Sequence, residues 1–317
     1  MSKKAMYLLG ILLTILIGTY FYWKLCCNEC CNDDATKAGS KKEKSLNEKV
    51  NSKVSTEKAT SNAFALSDAE SGFGYSSNDN FNFDTNGFAI LDPVASSIDT
   101  GLVKLKSFLD SNVDKTIDIT GHYTSTETNN SAYPNLGLAR ANAVKNYMVS
   151  NGINSRQINT MSNLNDTLIP DGTIYKGPVT YSFTTVTDDL AQKAADNLAA
   201  IKVRLNASPL TLYFNTGEAS IDLTTEQRQI IADLSKYLDK VPSSKLSIVG
   251  HTDNTGSRAT NIQLGQGRAD FAKKYFINNG ISEAKIETSS RGPDTPVTTN
   301  DTEIGRSKNR RTVVSLN

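Results

Sequence analysis

Cysteine is missing from nearly the whole chain. All four lie at positions 26, 27, 30 and 31, so the bulk of the 317 residues folds without disulfides. Histidine is almost as scarce, with only His122 and His251, which excludes a metal centre built on several imidazoles. An excess of either charge is also lacking. Thirty-four basic residues face thirty-three acidic ones, a formal net charge of +1. The basic residues are dispersed, so no field gathers nucleic acid. No Walker loop, GxSxG elbow or Ser-His-Asp set occurs, and the paired acids Asp33-Asp34 fall in polar, low-complexity sequence. These absences point away from an enzyme and call for no metal and no cofactor.

One long hydrophobic run is present. Residues 5–23 are uncharged and mostly apolar, close to the ~20 residues a helix needs to cross a bilayer. Lys3 and Lys4 precede the run, and Glu29, Asp33 and Asp34 follow soon after Lys24. That bias keeps the N-terminus cytoplasmic, and Tyr20 to Trp23 supply an aromatic belt at the far interface. A cleaved signal peptide is the rival, but it wants a shorter apolar core and small residues at its cleavage site. The expectation is a single-pass cell-membrane protein with its C-terminal domains in the periplasm, the outer membrane being the alternative. Cys26, Cys27, Cys30 and Cys31 follow the span at once. Disulfides within a chain, or a disulfide-linked dimer, fit an oxidising space. The CxxC at Cys27 to Cys30 as a redox or metal site, and lipid at Cys26, are the other readings.

Residues 24–86 comprise the cysteines and then a stretch rich in Lys, Ser, Asn, Glu and Thr. Large aliphatics are nearly absent, so too little apolar surface is available to offset ordering. A disordered tether is expected, with an r.m.s. span of roughly 40–45 Å. Its end, Ser71 to Phe88, is aromatic enough to dock on a neighbouring domain.

An internal repeat follows. Ile119 to Ile153 mirrors Ile248 to Ile281: Gly121 aligns with Gly250, Arg140 with Arg268, and Asn151-Gly152-Ile153 with Asn279-Gly280-Ile281. Upstream, Phe108 to Asp110 matches Tyr237 to Asp239. The fold expected is α+β, with two β-α-β-α-β-β domains in tandem at 87–187 and 208–317 and a connecting helix at 188–207. Leu190, Ala194, Leu198, Ile201 and Leu205 recur in that helix at helical spacing. In the second domain, strands are predicted at Thr211 to Phe214, Lys245 to Gly250, Lys285 to Ser289 and Arg311 to Leu316. Thr224 with Gln227 forms a capping box that opens a helix carrying Ile230, Ile231, Leu234 and Leu238. A second helix runs from Asn261 to Asn278, with Gly280 suited to its left-handed cap.

The chemistry concentrates in Gly250 to Phe271. Asp253 lies just past an apolar strand, and Arg268 lies in the helix that follows. A strand end and its following helix pack side by side, so the two charges face one cleft. A single ligand carrying an ammonium and a carboxylate satisfies both, Arg supplying two parallel bonds to the carboxylate.

Three segments in order, GHTDNTG (250–256), NIQLGQGRA (261–269) and NRRTVV (309–314), resemble the OmpA-like peptidoglycan-binding domain over about residues 208–317, with FNTGEASI (214–221) where the family places its first strand. The departure is Gly265 where the family usually has Ser, with Gly267 a second glycine; each is expected to cost the helix about 0.8–1 kcal/mol relative to Ala. The resemblance implies no catalysis and a ligand that is the diaminopimelate end of the peptidoglycan stem peptide. Asp253 would take its ammonium and Arg268 its carboxylate. Thr252 and Asn261 would line the site, Asn309, Arg310 and Arg311 would buttress it, and a helix N-terminus near Asn261 would add positive partial charge. The first copy departs from the pattern: Thr124 stands at the place of Asp253 and the closing NRR is replaced near Gly177-Pro178, while Arg140 survives. Residues 87–187 are therefore expected to act as a spacer or to contact other envelope proteins. The function implied is a non-catalytic tether between membrane and peptidoglycan. The alternative is a stator-like or scaffold component of an envelope complex, although residues 5–23 hold none of the ionisable groups of a proton path.

Overall fold

The computed structural model describes residues 58–213 and 221–317. The apolar run at 5–23, the four cysteines and the tether up to residue 57 lie outside these residues. Among the described residues no helix is long and apolar enough to cross a membrane.

Two hydrophobic cores form, each beneath its own sheet. The first lobe begins with an antiparallel hairpin of β1 (Phe64–Asp68) and β2 (Phe73–Ser77). β3 (Asn82–Asp84) pairs with β6 (Ile174–Lys176). The main sheet has the order β5-β4-β7, with β4 (Lys115–Tyr123) parallel to β5 (Ile158–Leu164) and antiparallel to β7 (Val179–Thr185). Helices α1 (Ser96–Ser111) and α2 (Leu136–Ser150) supply the other side of the core.

Helix α3 (Asp188–Ala207) leads into the second lobe. That lobe runs β8 (Leu210–Tyr213), α4 (Thr225–Lys240), β9 (Leu246–His251), α5 (Arg258–Asn278), β10 (Ile286–Gly292), α6 (Glu303–Asn309) and β11 (Arg311–Leu316). Its sheet order is β10-β9-β11-β8, with β9 parallel to β10 and antiparallel to β11. The capping box is made: the Gln227 amide donates to Thr224 Oγ1 at 3.2 Å, and the Thr224 amide donates to Gln227 Oε1 at 2.9 Å. Three of the buried α4 residues, Ile231, Leu234 and Leu238, belong to the predicted stripe.

Two expectations need correction. The tether does not extend to residue 86. Phe64, Phe81 and Phe83 are fully or almost fully buried, and Phe64 packs edge-on against Phe81 and Tyr181 with centroids 6.1 and 4.9 Å apart. Lys115 of β4 pins the end of the hairpin through Asp68 at 3.0 Å and Glu70 at 2.6 Å. The physical reason is local. Averaged over sixty residues the composition is too polar to fold, but within β1 the residues at 64, 66 and 68 alternate buried with exposed neighbours, the period of a half-buried strand. The second correction concerns α5, which starts at Arg258, three residues before Asn261. Ser257 caps it by accepting from the Thr260 amide at 3.1 Å. Asn261 is therefore inside the first turn and buried, and does not begin the helix.

Glycine on both partners lets each central strand touch the helix that follows it. A Cβ at Gly250 would meet the Gly265 carbonyl oxygen at 1.8 Å, and one at Gly121 would meet the Gly137 carbonyl oxygen at 2.0 Å. A Cβ at Gly265 would meet Ser290 Oγ at 2.3 Å. The lost helix propensity of Gly265 is thus the condition for close packing.

The lobes adhere through polar contacts. Lys145 of α2, almost fully buried, pairs with Asp239 of α4. The Ala132 amide donates to Asn279 Oδ1 at 2.7 Å, and the buried Tyr133 hydroxyl bonds Ser235 Oγ at 3.2 Å. Lys240 donates to the carbonyls of Arg156 and Ile158 at 2.7 and 2.8 Å, and burial pulls its ammonium down to about 8. Helix α3 contributes Ile201 and Leu205 to the second core and ties Arg204 to Asp233 of α4.

Phe64→Ala tests the corrected boundary. Truncating a buried Phe costs about 3–5 kcal/mol, so chemical denaturation of the full chain should show a first-lobe transition moved to lower denaturant. Were residues 58–86 a tether, the midpoint would not move. Gly250→Ala should cost about 1–3 kcal/mol or more through overpacking, read in the same way on the second lobe.

Candidate functional site

The site is built at the C-terminal end of β9. His251 ends the strand, Thr252 and Asp253 follow it, and both are buried. The Thr252 amide donates to the Gly292 carbonyl at 2.9 Å, which ties this loop to the end of β10. Asp253 Oδ1 accepts from the Thr255 amide at 2.9 Å, and Asn261 Nδ2 donates to the Thr255 carbonyl at 3.1 Å. The loop between strand and helix is therefore pinned at both ends. Arg268 lies two turns along α5 from Asn261 and is half-buried; its Nη1 donates to the His251 carbonyl at 3.0 Å.

The ion pair of Asp253 is with Arg310. Arg310 Nη1 donates to Asp253 Oδ2 at 2.9 Å, and Nη2 donates to Glu303 Oε1 at 2.7 Å. Arg310 Nε is buried, and among the described residues nothing accepts from it. Burial pushes the Asp253 carboxyl up, but the Thr255 amide and the Arg310 guanidinium outweigh it and hold the group below the ordinary carboxylate range. Burial also lowers the Arg268 guanidinium, Arg310 lowers it further, and Asp253 opposes both. Arg268, Arg310 and Asp253 thus share one electrostatic neighbourhood.

Asn309 and Arg311 do not point into that neighbourhood. Asn309 is fully buried: its Oδ1 accepts from the Val297 amide at 2.8 Å, and its Nδ2 donates to the Thr298 carbonyl and to Asn300 Oδ1, both at 2.9 Å. Arg311 Nη2 donates to the Thr295 carbonyl at 3.1 Å. Both hold the loop between β10 and α6 in place. Of the three NRR residues only Arg310 meets the acid. Glu303 was not among the sequence-derived residues. Its signal is a position seven residues before Arg310, two helical turns away, where it braces the guanidinium from the other side. Among the described residues no group of His, Cys, Asp and Glu is placed to hold a metal ion.

His251 and His122 each occupy a strand end. His251 Nδ1 lies 3.0 Å from Thr295 Oγ1, and His122 Nε2 lies 3.0 Å from Thr180 Oγ1. Burial, with Arg311 and Arg291 adding to it, depresses His251 to about 4. In the unfolded chain His takes up its proton near 6.5. A group whose folded value is depressed below the unfolded one loses stability as pH falls through that interval. The second-lobe melting temperature should therefore fall between pH 6.5 and about 4, and His251→Gln should flatten that slope relative to wild type. Thermal melts at half-unit steps check this; parallel curves for the two proteins would refute it.

The geometry can be set beside known proteins. The family described as OmpA matches residues 82–173 and 213–310, together more than half of the chain. The peptidoglycan-associated lipoprotein of Haemophilus influenzae is 38% identical over 105 residues, 33% of this chain and 67% of that protein. The peptidoglycan-binding protein ArfA of Mycobacterium tuberculosis is 33% identical over 101 residues, 32% of this chain and 31% of that protein. Among solved structures, the peptidoglycan-associated lipoprotein from Burkholderia pseudomallei is 26% identical, with a TM-score of 0.32, and covers 35% of this chain and 92% of its own. With the family match spanning both lobes, the chain belongs to the OmpA family.

Proposed function

We propose that this protein is a non-enzymatic, peptidoglycan-binding tether of the cell envelope, and that its ligand is the diaminopimelate end of the stem peptide. The carrying observation is the trio at the end of β9. Asp253, Arg268 and Arg310 sense one another electrostatically, and a carbonyl of the strand orients Arg268. A zwitterion suits such a place. Thr255 and Arg310 use part of the acceptor capacity of Asp253, and a carboxylate offers about four acceptor positions, so an ammonium is accommodated. The ligand carboxylate falls to the guanidinium of Arg268, with Arg310 close enough to share it. Thr252 and Asn261 fix the loop that carries the acid, and Asn309 and Arg311 fix the loop behind it.

The rest of the reading follows the chain order. Residues 5–23 anchor the protein in the cell membrane, the described lobes stand in the periplasm, and the two lobes are copies of one unit. The copies share a central strand parallel to one neighbour and antiparallel to the other. They also share an arginine that donates to the histidine carbonyl at the strand end, at 3.0 Å in each. The first lobe acts as spacer and as a contact for other envelope proteins.

Retention by purified, diaminopimelate-containing sacculi tests the site. Asp253→Ala and Arg268→Ala each remove one partner of a desolvated charge pair with the ligand. Such truncations cost ~2–5 kcal/mol, or roughly 30- to several-thousand-fold in affinity. Free meso-diaminopimelate should compete with wild type. Equal retention of wild type and both variants would end the assignment.

A further inference from the structure

Arg140 in the first lobe stands where Arg268 stands in the second. Both donate through Nη1 to the carbonyl of the strand-end histidine, and both helices press a glycine against the glycine of that strand. The difference is in what else the guanidinium meets. Arg140 is completely buried, and Glu127, with a side chain 3% exposed, forms an ion pair with it. Glu127 Oε2 accepts from Arg140 Nη1 at 3.2 Å, and Oε1 accepts from Nη2. Arg140 Nε donates to the Gly87 carbonyl at 2.9 Å, and Nη2 also donates to the Asp84 carbonyl at 3.3 Å. Those are five bonds for the five N–H donors of a guanidinium. The carboxylate is equally engaged. Besides Arg140, Oε2 accepts from the Thr124 amide at 2.9 Å and Oε1 from the Asn86 amide at 3.1 Å, which fills about four acceptor positions. Thr124 is the counterpart of Asp253, so the amide bonding Glu127 belongs to the same loop that carries the acid in the second lobe.

We propose that Glu127 is a built-in occupant of the first lobe's carboxylate seat, and that this residue closes Arg140 to an external carboxylate. The proposal rests on the wall-binding reading only for naming the ligand of the second lobe; the seat itself is defined by Arg140. An open cavity of about 510 Å³ fronts the pair, lined by Thr124, Ser125, Thr126, Glu127, Asp166 and Tyr175. A small solute can therefore reach the seat once the Glu127 side chain is removed. A purely architectural ion pair predicts only that its loss destabilises the lobe. An occupied seat predicts in addition that a free carboxylate replaces what was lost, since a ligand that binds only the folded state stabilises it by mass action.

The test uses the full chain as wild type, Glu127→Ala and Glu127→Ala/Arg140→Met, with melting temperatures in sodium acetate or propionate against acetamide and sodium chloride at matched concentration. Glu127→Ala should melt several degrees below wild type and recover with acetate and propionate in a saturable way, but not with acetamide or chloride. Wild type and the double variant should respond to acetate no more than to chloride. Absence of a carboxylate-specific recovery in Glu127→Ala overturns the proposal. Should that variant not fold, the Arg140 Nε–H resonance of wild-type protein decides. It should be protected from solvent exchange and unmoved by acetate; fast exchange or an acetate-dependent shift overturns the proposal. In a separate arm, the weakened sacculus binding of Arg268→Ala should contain no part that depends on Arg140, and residual binding abolished by adding Arg140→Met would overturn it. Wild type failing to bind sacculi would sink the wall-binding reading while leaving the acetate result to stand on its own.

Discussion

A strand and the helix after it approach so closely in each lobe that only glycine fits between them, and the positions of Arg268 and Arg140 depend on that approach. With Gly250 against Gly265, α5 lies on the end of β9 and Arg268 reaches the His251 carbonyl. With Gly121 against Gly137, α2 lies on β4 and Arg140 reaches the His122 carbonyl. A guanidinium held by a backbone acceptor is fixed beside the strand end. The partners then differ: Arg140 forms its ion pair with Glu127, three residues after Thr124, whereas Asp253, two places after His251, pairs with Arg310.

The two lobes use the same frame to opposite electrostatic ends. In the second, three like and unlike charges crowd together: burial and Arg310 weaken the hold of Arg268 on its proton, while Asp253 is kept ionised by Thr255 and Arg310. In the first, a buried guanidinium and a buried carboxylate satisfy each other in full, and backbone amides and carbonyls complete both shells. A buried ion pair with complete hydrogen bonding is a rigid structural element, and breaking it leaves an uncompensated charge. The two lobes thus differ in where the acid comes from.

Much of this was legible beforehand. The capping box at Thr224 and the stop at Asn279-Gly280 were readable because each depends on contacts within a few residues. The glycine at 265, which looks like a defect by helix propensity, was not interpretable until Gly250 and Ser290 were seen against it. Glu127 is hidden in the sequence because it sits three residues after the position that aligns with Asp253, and nothing in one dimension says its side chain folds back onto Arg140. The hairpin at 64–77 was hidden by the polar residues around it; its aromatics find their partners in β7 and α1, far along the chain.

The order of motifs along the chain by itself indicates the family and singles out Asp253 and Arg268 as candidate acid and base, because helix caps and turn glycines are set by nearest neighbours. Tertiary structure decided the rest: that Asp253 pairs with Arg310, that Asn309 and Arg311 serve the loop behind it, that the first lobe begins before Phe64, and that Arg140 already has its carboxylate. Each of those outcomes joins residues brought within hydrogen-bond reach only after the sheets and helices have packed. Charge is read across space, and pattern along the chain reports only which charges are available.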